Sequence, residues 1–90
     1  MPDIAHDAAR QRFATETDGQ TAYLEYEQAD DVMVITHTIV PSAIGGRGIA
    51  GDLVRSAVEY AKAEGLKVDP RCSYADGWMR KHPEYEALRA

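Results

Sequence analysis

Three features of this sequence have the residue types and the placement that chemistry requires: a glycine-rich run, one cysteine and one histidine. The run is Gly45-Gly46-Arg47-Gly48-Ile49-Ala50-Gly51, here called the glycine loop, and it stands between an apolar β-like segment and a helical pattern. Backbone N–H groups at such a corner can point at an anion, helped by the positive helix end. The spacing matches neither a P-loop nor the dinucleotide motif Gly-x-Gly-x-x-Gly. The loop therefore predicts either a seat for phosphate or pyrophosphate, or a simple chain turn.

The chain has a single cysteine, Cys72, so an intramolecular disulfide is excluded. It stands outside any Cys/His spacing that is typical of zinc sites. Two interpretations remain: a buried, inert thiol or a reactive one. Arg71 precedes the cysteine and a helical pattern begins at Ser73, and both a cation and a helix N-terminus favour the thiolate.

The histidines differ in their surroundings. His37 lies within a long apolar run, and an imidazole, which ordinarily titrates at about pH 6.5, suits a general base that removes a proton from an ammonium group or a thiol. The alternative is a histidine packed or hydrogen-bonded within a sheet. His6 lies in the N-terminal tail and His82 beside a proline, without metal-ligand spacing. We therefore predict no metal site.

The first half of the chain has the pattern of β-strands. Residues 12–16, 21–26 and 32–40 are separated by Asp18-Gly19 and by polar residues 28–31, which predicts three antiparallel strands. The third is rich in β-branched residues and is ended by Pro41, so we predict a central strand buried on both faces.

The second half is mainly helical. Apolar residues recur at the spacing of one helix face, at Ile49, Leu53, Val54, Ala57, Val58 and Ala61. This predicts a helix that ends at Gly65. Residues 66–69 then predict a short strand, parallel to the third strand through a right-handed crossover. A second helix is predicted from Ser73 to about Lys81. Ser73 is predicted to cap its N-terminus, with Asp76 three residues on.

The end of the chain has two further expectations. We predict that the helical pattern restarts at Pro83, because proline is favoured at the first helical position. Within the second helix, Trp78 and Met79 are predicted to lie in the core. Together these elements predict a compact α/β domain that spans residues 1–90.

Composition and charge limit the partners. The net charge is −5, with −6 on residues 1–44 and +1 on residues 45–90. An acidic front half argues against nucleic acid and would attract a cationic amine, unless these acids form only a solvated face. No apolar run approaches the roughly 18 residues that span a bilayer, and the N-terminus lacks a signal pattern. We therefore expect a cytoplasmic protein that does not bind membranes.

One long stretch resembles a known family. The sequence THTIVPSAIGGRGIAGDLVRSAVEYAKAEGLKVDPRCSYADGWMRKHPEY, residues 36–85, is similar to the short, single-domain branch of the GNAT acetyltransferase superfamily. The pyrophosphate signature Arg/Gln-x-x-Gly-x-Gly/Ala of that superfamily aligns with residues 45–50. The triplet CSY after the next strand is typical of the short branch. The sequence departs from the signature at Gly45, where the family has Arg or Gln.

The resemblance implies a GNAT-like fold and a set of coenzyme A contacts. It implies three antiparallel strands, a helix, a parallel fourth strand and C-terminal helices, with acetyl-CoA as co-substrate and no metal. Backbone donors of the glycine loop would hold the pyrophosphate, the end of the third strand would lie along the pantetheine arm, and two further side chains would contact the cofactor. The residues implied are Gly46, Arg47, Gly48, Ile49, Ala50 and Gly51, then Thr38, Ile39 and Val40, then Tyr74 and Lys81.

The resemblance also implies an activity, transfer of an acetyl or other short acyl group to an amine. Cys72 would be catalytic, as a nucleophile or as a lining of the thioester site, with His37 as the candidate base. Tyr74 would protonate the leaving thiolate, or it is an aromatic residue of the core or of the rim, and Lys81 would reach the 3′-phosphate or remain solvated. Larger members wall the acceptor site with N-terminal helices that this sequence lacks, so we expect an open cleft.

The acceptor expected for such a cleft is a protein or peptide amine, or a small amine, and the chain is expected to be a monomer or weak homodimer. The alternative function is a non-catalytic coenzyme A-binding or protein-interaction module. The missing Arg or Gln at position 45 favours this alternative, whereas Cys72 and His37 favour the enzyme.

Overall fold

The computed structural model describes residues 3–90, and a five-stranded sheet forms its centre. The strands are β1 (Ala5–Asp7), β2 (Arg12–Thr17), β3 (Gln20–Ala29), β4 (Val32–Ile39) and β5 (Lys67–Pro70). They lie side by side in chain order, the first four antiparallel and β5 parallel to β4. The predicted α/β class and the parallel pair are therefore confirmed.

Strand β1 corrects the predicted number of antiparallel strands from three to four. It has only 3 residues, too few to produce an alternating pattern in the sequence. Its pairing with β2 places His6 opposite Phe13, and the two rings stack with centroids 4.1 Å apart. Nε2 of His6 also forms a hydrogen bond with the hydroxyl of Tyr26. Tertiary contacts rather than local pattern therefore define this strand, and His6 is part of the sheet rather than of a tail.

The long helix α1 (Ile49–Ala63) follows the predicted boundaries. All six residues of the predicted apolar face are buried. At its end the N–H of Leu66 donates to the carbonyl of Ala61 at 2.8 Å, and Gly65 donates to Lys62 at 3.3 Å. These two bonds form a Schellman motif, which requires the left-handed backbone that Gly65 adopts at φ +72°. The predicted stop is confirmed.

Within residues 3–90, helices cover one face of the sheet only, and this corrects the prediction that the third strand is buried on both faces. In β4, Met33 and Ile35 are fully buried, whereas Val32 and Val34 on the opposite side are half-buried. Helix α1 packs on the side of Met33 and Ile35, here called the helix face. The other side, the open face, also carries Glu25 of β3. β-branched residues favour strands on either face, so composition alone overestimated the burial.

A β-bulge interrupts the pairing of β3 with β4. Glu25 lies opposite His37, but the next pair joins Tyr26 to Ile35, so Thr36 is an extra residue on β4. Directly paired residues project to the same face of a sheet. Ile35 therefore joins Tyr26 on the helix face, and His37 joins Glu25 on the open face.

Helix α2 (Ser73–Lys81) has the predicted bounds but not the predicted cap. Cys72, not Ser73, occupies the residue before the first turn, and no side chain caps that end. Asp76 instead accepts hydrogen bonds from Arg80 at 3.1 Å and Arg89 at 2.8 Å. The helix packs against α1 and the end of the sheet through a buried face, which includes the two predicted core residues, Trp78 and Met79.

The segment after α2 covers the outer edge of β5. A 3₁₀ helix, Pro83–Leu88, restarts at the predicted proline. The amide of Ala90 then donates to the carbonyl of Val68 at 2.8 Å, and Nζ of Lys67 donates to the carbonyl of Ala87 at 2.8 Å. Together with the pair of Arg89 and Asp76, these contacts hold the segment along the strand.

Two glycines should respond to alanine with opposite signs. Gly65→Ala should lower the free energy of unfolding by about 1 kcal/mol, because a side chain is strained in the left-handed region. Gly77→Ala should raise it by up to about 1 kcal/mol, because this helical position has nothing within 4 Å of an added methyl group. Urea denaturation measures both values. Changes of equal sign would contradict the backbone assignment.

Arg89→Gln should destabilise the protein at neutral pH but not in acid. Arg89 holds the pKa values of Asp76 and Glu86 below their usual range through hydrogen bonds. Groups with a lowered folded-state pKa stabilise the fold above their unfolded pKa, about 4, and lose that contribution as the pH falls through the folded value. The gap between wild type and variant in urea denaturation should therefore close below about pH 4. Arg10→Gln, at a largely exposed arginine, is the control, and a gap that persists in acid would contradict the electrostatic origin.

Candidate active site

The pairing of β4 with β5 ends before β4 does. The last pair joins Ile35 to Pro70, which has no N–H to donate. The next two amides, of Arg71 and Cys72, both donate to the carbonyl of Ile35 at 3.0 Å, and the chain then turns into α2. Residues 36–39 of β4 continue beyond β5, so their outer edge faces a gap, here called the β4–β5 gap. An extended ligand that carries amide groups can pair with such an edge.

A short 3₁₀ helix, Ser42–Ile44, follows β4, and the glycine loop leads from it to the first turn of α1. Gly46 and Gly48 adopt left-handed backbone at φ +77° and +79°, as the tight turn requires. The first helical hydrogen bond runs from the amide of Asp52 to the carbonyl of Gly48 at 3.1 Å, and no side chain caps the helix. The amides of residues 49–51 thus have no acceptor within the helix. Three free donors at a positive helix end form a site for an anion.

The side chain of Arg47 is paired with a carboxylate of another turn. Its Nη1 donates to Oδ2 of Asp18 at 2.7 Å, and Asp18 lies in the turn between β2 and β3. Both side chains are substantially exposed, so the pair contributes little stability. The anion site therefore consists of backbone donors, in keeping with the role that the family resemblance gave to Arg47.

Helix α2 comes close to the anion site at Gly51. A methyl group added to Gly51 would lie 3.4 Å from the hydroxyl of Tyr74 and 3.4 Å from Nε1 of Trp78. Partial burial raises the pKa of Tyr74, and the Asp52 carboxylate raises it further. The hydroxyl is therefore protonated at neutral pH and can donate a proton or a hydrogen bond.

Tyr74 and Lys81 share one cleft along α2. It has a volume of about 210 Å³ and is also lined by Ser73, Gly77 and Trp78. Tyr74 is 43 % exposed, so it forms a rim rather than part of the core. The structure thus brings both residues, named as cofactor contacts from the sequence, to the side of α2 that adjoins the start of α1.

Cys72 lies at the β4–β5 gap. It is half-buried, which differs from a fully buried, inert thiol, and its Sγ lies 3.6 Å from Oγ1 of Thr38. Thr38 is paired with the buried Leu24, so the strand has returned to the helix face one residue after His37. In the same segment Val40 packs against the core and Ile39 is exposed on the open face.

His37 does not join Cys72. Its side chain is 64 % exposed on the open face, with Nδ1 at 3.2 Å from Oγ1 of Thr36 and 3.9 Å from Oε1 of Glu25. The two candidate catalytic residues therefore lie on opposite faces of the sheet. The sequence did not indicate that Glu25 lies beside His37, because the bulge that directs His37 to the open face leaves no recognisable pattern in the residues.

The last observations concern His82, metal ions and membrane-spanning helices. His82 stacks on Trp78 at 3.8 Å between ring centroids and bonds through Nδ1 to the Trp78 carbonyl at 2.7 Å. Across residues 3–90, no group of three or more His, Cys, Asp or Glu side chains is arranged to hold a metal ion. None of the helices in this part of the chain is both long and apolar enough to cross a membrane.

The sequence and the fold match those of one family. The family model of GCN5-related N-acetyl-transferases matches residues 12–88. A similar chain is a GCN5-like N-acetyltransferase candidate from Staphylococcus aureus, whose solution structure superposes with a TM-score of 0.77 at 26 % identity, covering 98 % of this chain and 87 % of that one. The chain belongs to the GCN5-related N-acetyltransferase family.

Relatives in animals are more similar in sequence. Protein NATD1 of Homo sapiens is 34 % identical over 83 residues, which span 89 % of this chain and 74 % of that protein. Protein NATD1 of Danio rerio is 33 % identical over 87 residues, which span 91 % and 79 % of the two chains. The similarity therefore extends over most of the chain and is not confined to the glycine loop.

Proposed function

We propose that this protein transfers an acetyl or other short acyl group from acyl-CoA to a primary amine. One observation carries the proposal: the free edge of β4 is followed, after a short 3₁₀ helix and the glycine loop, by a helix end with three free backbone donors. A phosphate-bearing ligand with an extended, amide-containing arm has the matching pattern of groups. Coenzyme A is such a ligand, and membership of an acetyltransferase family supports this choice.

Each part of acyl-CoA has a counterpart in this arrangement. The pyrophosphate would accept hydrogen bonds from the amides of residues 49–51 and from the loop before them. The pantetheine amides would pair with residues 38–40, and the thioester would then lie at Cys72. Lys81, at the far end of the α2 cleft, would approach the 3′-phosphate, and Tyr74 would donate toward the sulfur or the phosphates.

Two routes to the product remain, and the contacts of Cys72 favour one of them. In direct attack, the amine nitrogen bonds to the carbonyl carbon and loses a proton, the C–S bond breaks, and coenzyme A leaves as a thiolate that takes up a proton in turn. In the covalent route, the Cys72 sulfur first takes the acyl group, which requires a base near its thiol. Sγ of Cys72 contacts the Thr38 hydroxyl, whereas His37 projects to the other face. We therefore favour direct attack, with Cys72 lining the thioester site.

A non-catalytic coenzyme A-binding module is the second candidate, and Gly45 favours it. This position lacks the family's Arg or Gln and thus one side-chain contact to the cofactor. The glycine also has a steric explanation, because a methyl group at position 45 would lie 3.3 Å from the carbonyl oxygen of Ser42. Binding and turnover must therefore be measured separately.

Coenzyme A should stabilise the protein, and an arginine at position 45 should strengthen its binding. Gly45→Arg and Gly45→Ala share the close approach to Ser42, so their difference isolates the cation. We expect the arginine variant to bind coenzyme A about tenfold more tightly than the alanine variant, since a charge-assisted hydrogen bond contributes about 1.5 kcal/mol. Isothermal titration calorimetry measures both constants. Equal affinities, or no binding by wild type, would overturn the assigned cofactor site.

Incubation with acetyl-CoA and a primary amine should release coenzyme A thiol in proportion to N-acetylated product. Without amine, the intact protein should gain no acetyl group, and Cys72→Ala should lower kcat about tenfold without abolishing turnover, because direct attack loses only about 1.4 kcal/mol of contact energy. Mass spectrometry detects the protein and the product. An acetyl adduct that disappears in Cys72→Ala would establish the covalent route instead, and binding without turnover would establish the non-catalytic module.

A further inference from the structure

The open face of the sheet carries an apolar row that runs across four strands. Each residue of the row is paired in register with the next, so their side chains project to the same face: Ala5 of β1, Ala14 of β2, Tyr23 of β3 and Ile39 of β4. None of the four is fully buried, and Ile39 is 43 % exposed. A sheet face that meets only water usually has polar side chains at such positions. The row therefore favours contact between this face and another protein surface.

A row of charged and ionisable residues lies beside the apolar row, two residues along each strand. It runs in register from Asp7 through Arg12 and Glu25 to His37. Oε2 of Glu25 accepts a hydrogen bond from Nη2 of Arg12 at 2.8 Å, and its Oε1 lies 3.9 Å from Nδ1 of His37. Acidic and basic groups therefore alternate across the width of the sheet.

This alternating order is complementary to its own reverse. A two-fold axis that runs parallel to the strands, between β2 and β3, would place the row of one chain against the reversed row of a second chain. Arg12 would then face Glu25 of the second copy. Asp7 would face His37 of the second copy, whose ring N–H can donate to the carboxylate. The apolar row would meet itself in the same way, and such a self-complementary patch is what an isologous interface requires.

A further complementary pair lies at the cleft beside the charged row. The cleft has a volume of about 510 Å³, and Arg10 and Glu27 are among the residues that line it. Glu27 is exposed and forms no ion pair within residues 3–90. Because Arg10 precedes β2 and Glu27 lies on β3, the same axis would bring Arg10 of one copy toward Glu27 of the other.

We propose that the open face binds a second copy of this chain, sheet packed on sheet. The assembly has four layers, with the two sheets inside and the two α1 helices outside. Helix α1 and the contact between Cys72 and Thr38 lie on the other side of each sheet, so the coenzyme A path stays accessible. The proposal therefore does not depend on the proposed function.

The size of the face determines how strong the contact is expected to be. Strands that are about 4.8 Å apart and rise about 3.3 Å per residue give the four antiparallel strands, over the length of β4, roughly 500 Å² per chain. A dimer then buries about 1,000 Å² in total, near the lower limit of specific interfaces. Because much of this surface is polar, we expect a reversible dimer with a dissociation constant of about 10 to 100 μM.

Sedimentation equilibrium of the full chain, from about 5 μM to about 1 mM, measures the association directly. We expect the weight-average mass to rise with concentration from that of one chain toward that of two. Ile39→Ser should weaken the association at least about tenfold, because it removes a large apolar side chain from both copies. Tyr74→Ser, at an equally exposed side chain on α2, is the control and should leave the constant unchanged. The mass of one chain at every concentration, or equal effects of the two variants, would overturn the proposal.

A charge exchange at the axis distinguishes this register from any other dimer. Two aligned sheets pack within about 30° of each other, which displaces the pairs nearest the axis least. Arg12→Glu places two acids there and Glu25→Arg places two cations, so each variant alone should associate at least about tenfold more weakly. An equimolar mixture of the two variants should form a heterodimer with a constant near that of wild type, because each acid then faces a cation of the other chain.

The mixture decides between contacts within and between chains, because a pair lost within one chain cannot be restored by adding another chain. Dispersed amide signals in ¹⁵N–¹H spectra establish that each variant is folded. A mixture that stays as single chains, or single variants that dimerise like wild type, would overturn the open face as the interface. If either charge variant does not fold, the comparison of Ile39→Ser with Tyr74→Ser decides the question.

Discussion

The carbonyl oxygen of Ile35 is the point on which the site depends. It accepts the amides of both Arg71 and Cys72, and by doing so it ends the β4–β5 ladder and starts the turn into α2. One bifurcated contact thereby creates the free strand edge, sets the place of the cysteine and brings α2 alongside the start of α1.

The bulge at Thr36 adds a second constraint, because it determines the face of the sheet to which each following side chain projects. Without the bulge, His37 would project to the helix face and Thr38, which contacts Cys72, would project to the open face, because side chains alternate strictly along a strand. With it, His37 projects to the open face and Thr38 to the helix face, where it contacts Cys72.

Much of this fold could be predicted from the sequence because its signals are local. The apolar period of α1, the glycine at its end and the proline before the last helix each act within one or two turns. Strand β1, the one-sided burial of β4 and the bulge depend on partners distant in the chain, and no local pattern encodes them. For the same reason the sequence named Cys72 and His37 as candidates but could not tell that they face opposite ways, and it did not indicate Glu25.

The segment that lies along β5 also affects how the molecule meets other copies of itself. Exposed sheet edges offer unpaired backbone groups to neighbouring chains and promote aggregation. Here the bond from Ala90 to Val68 and the lysine contact to Ala87 occupy that edge with the chain's own backbone. Removal of the last few residues would therefore lower the solubility of the protein without changing the coenzyme A path.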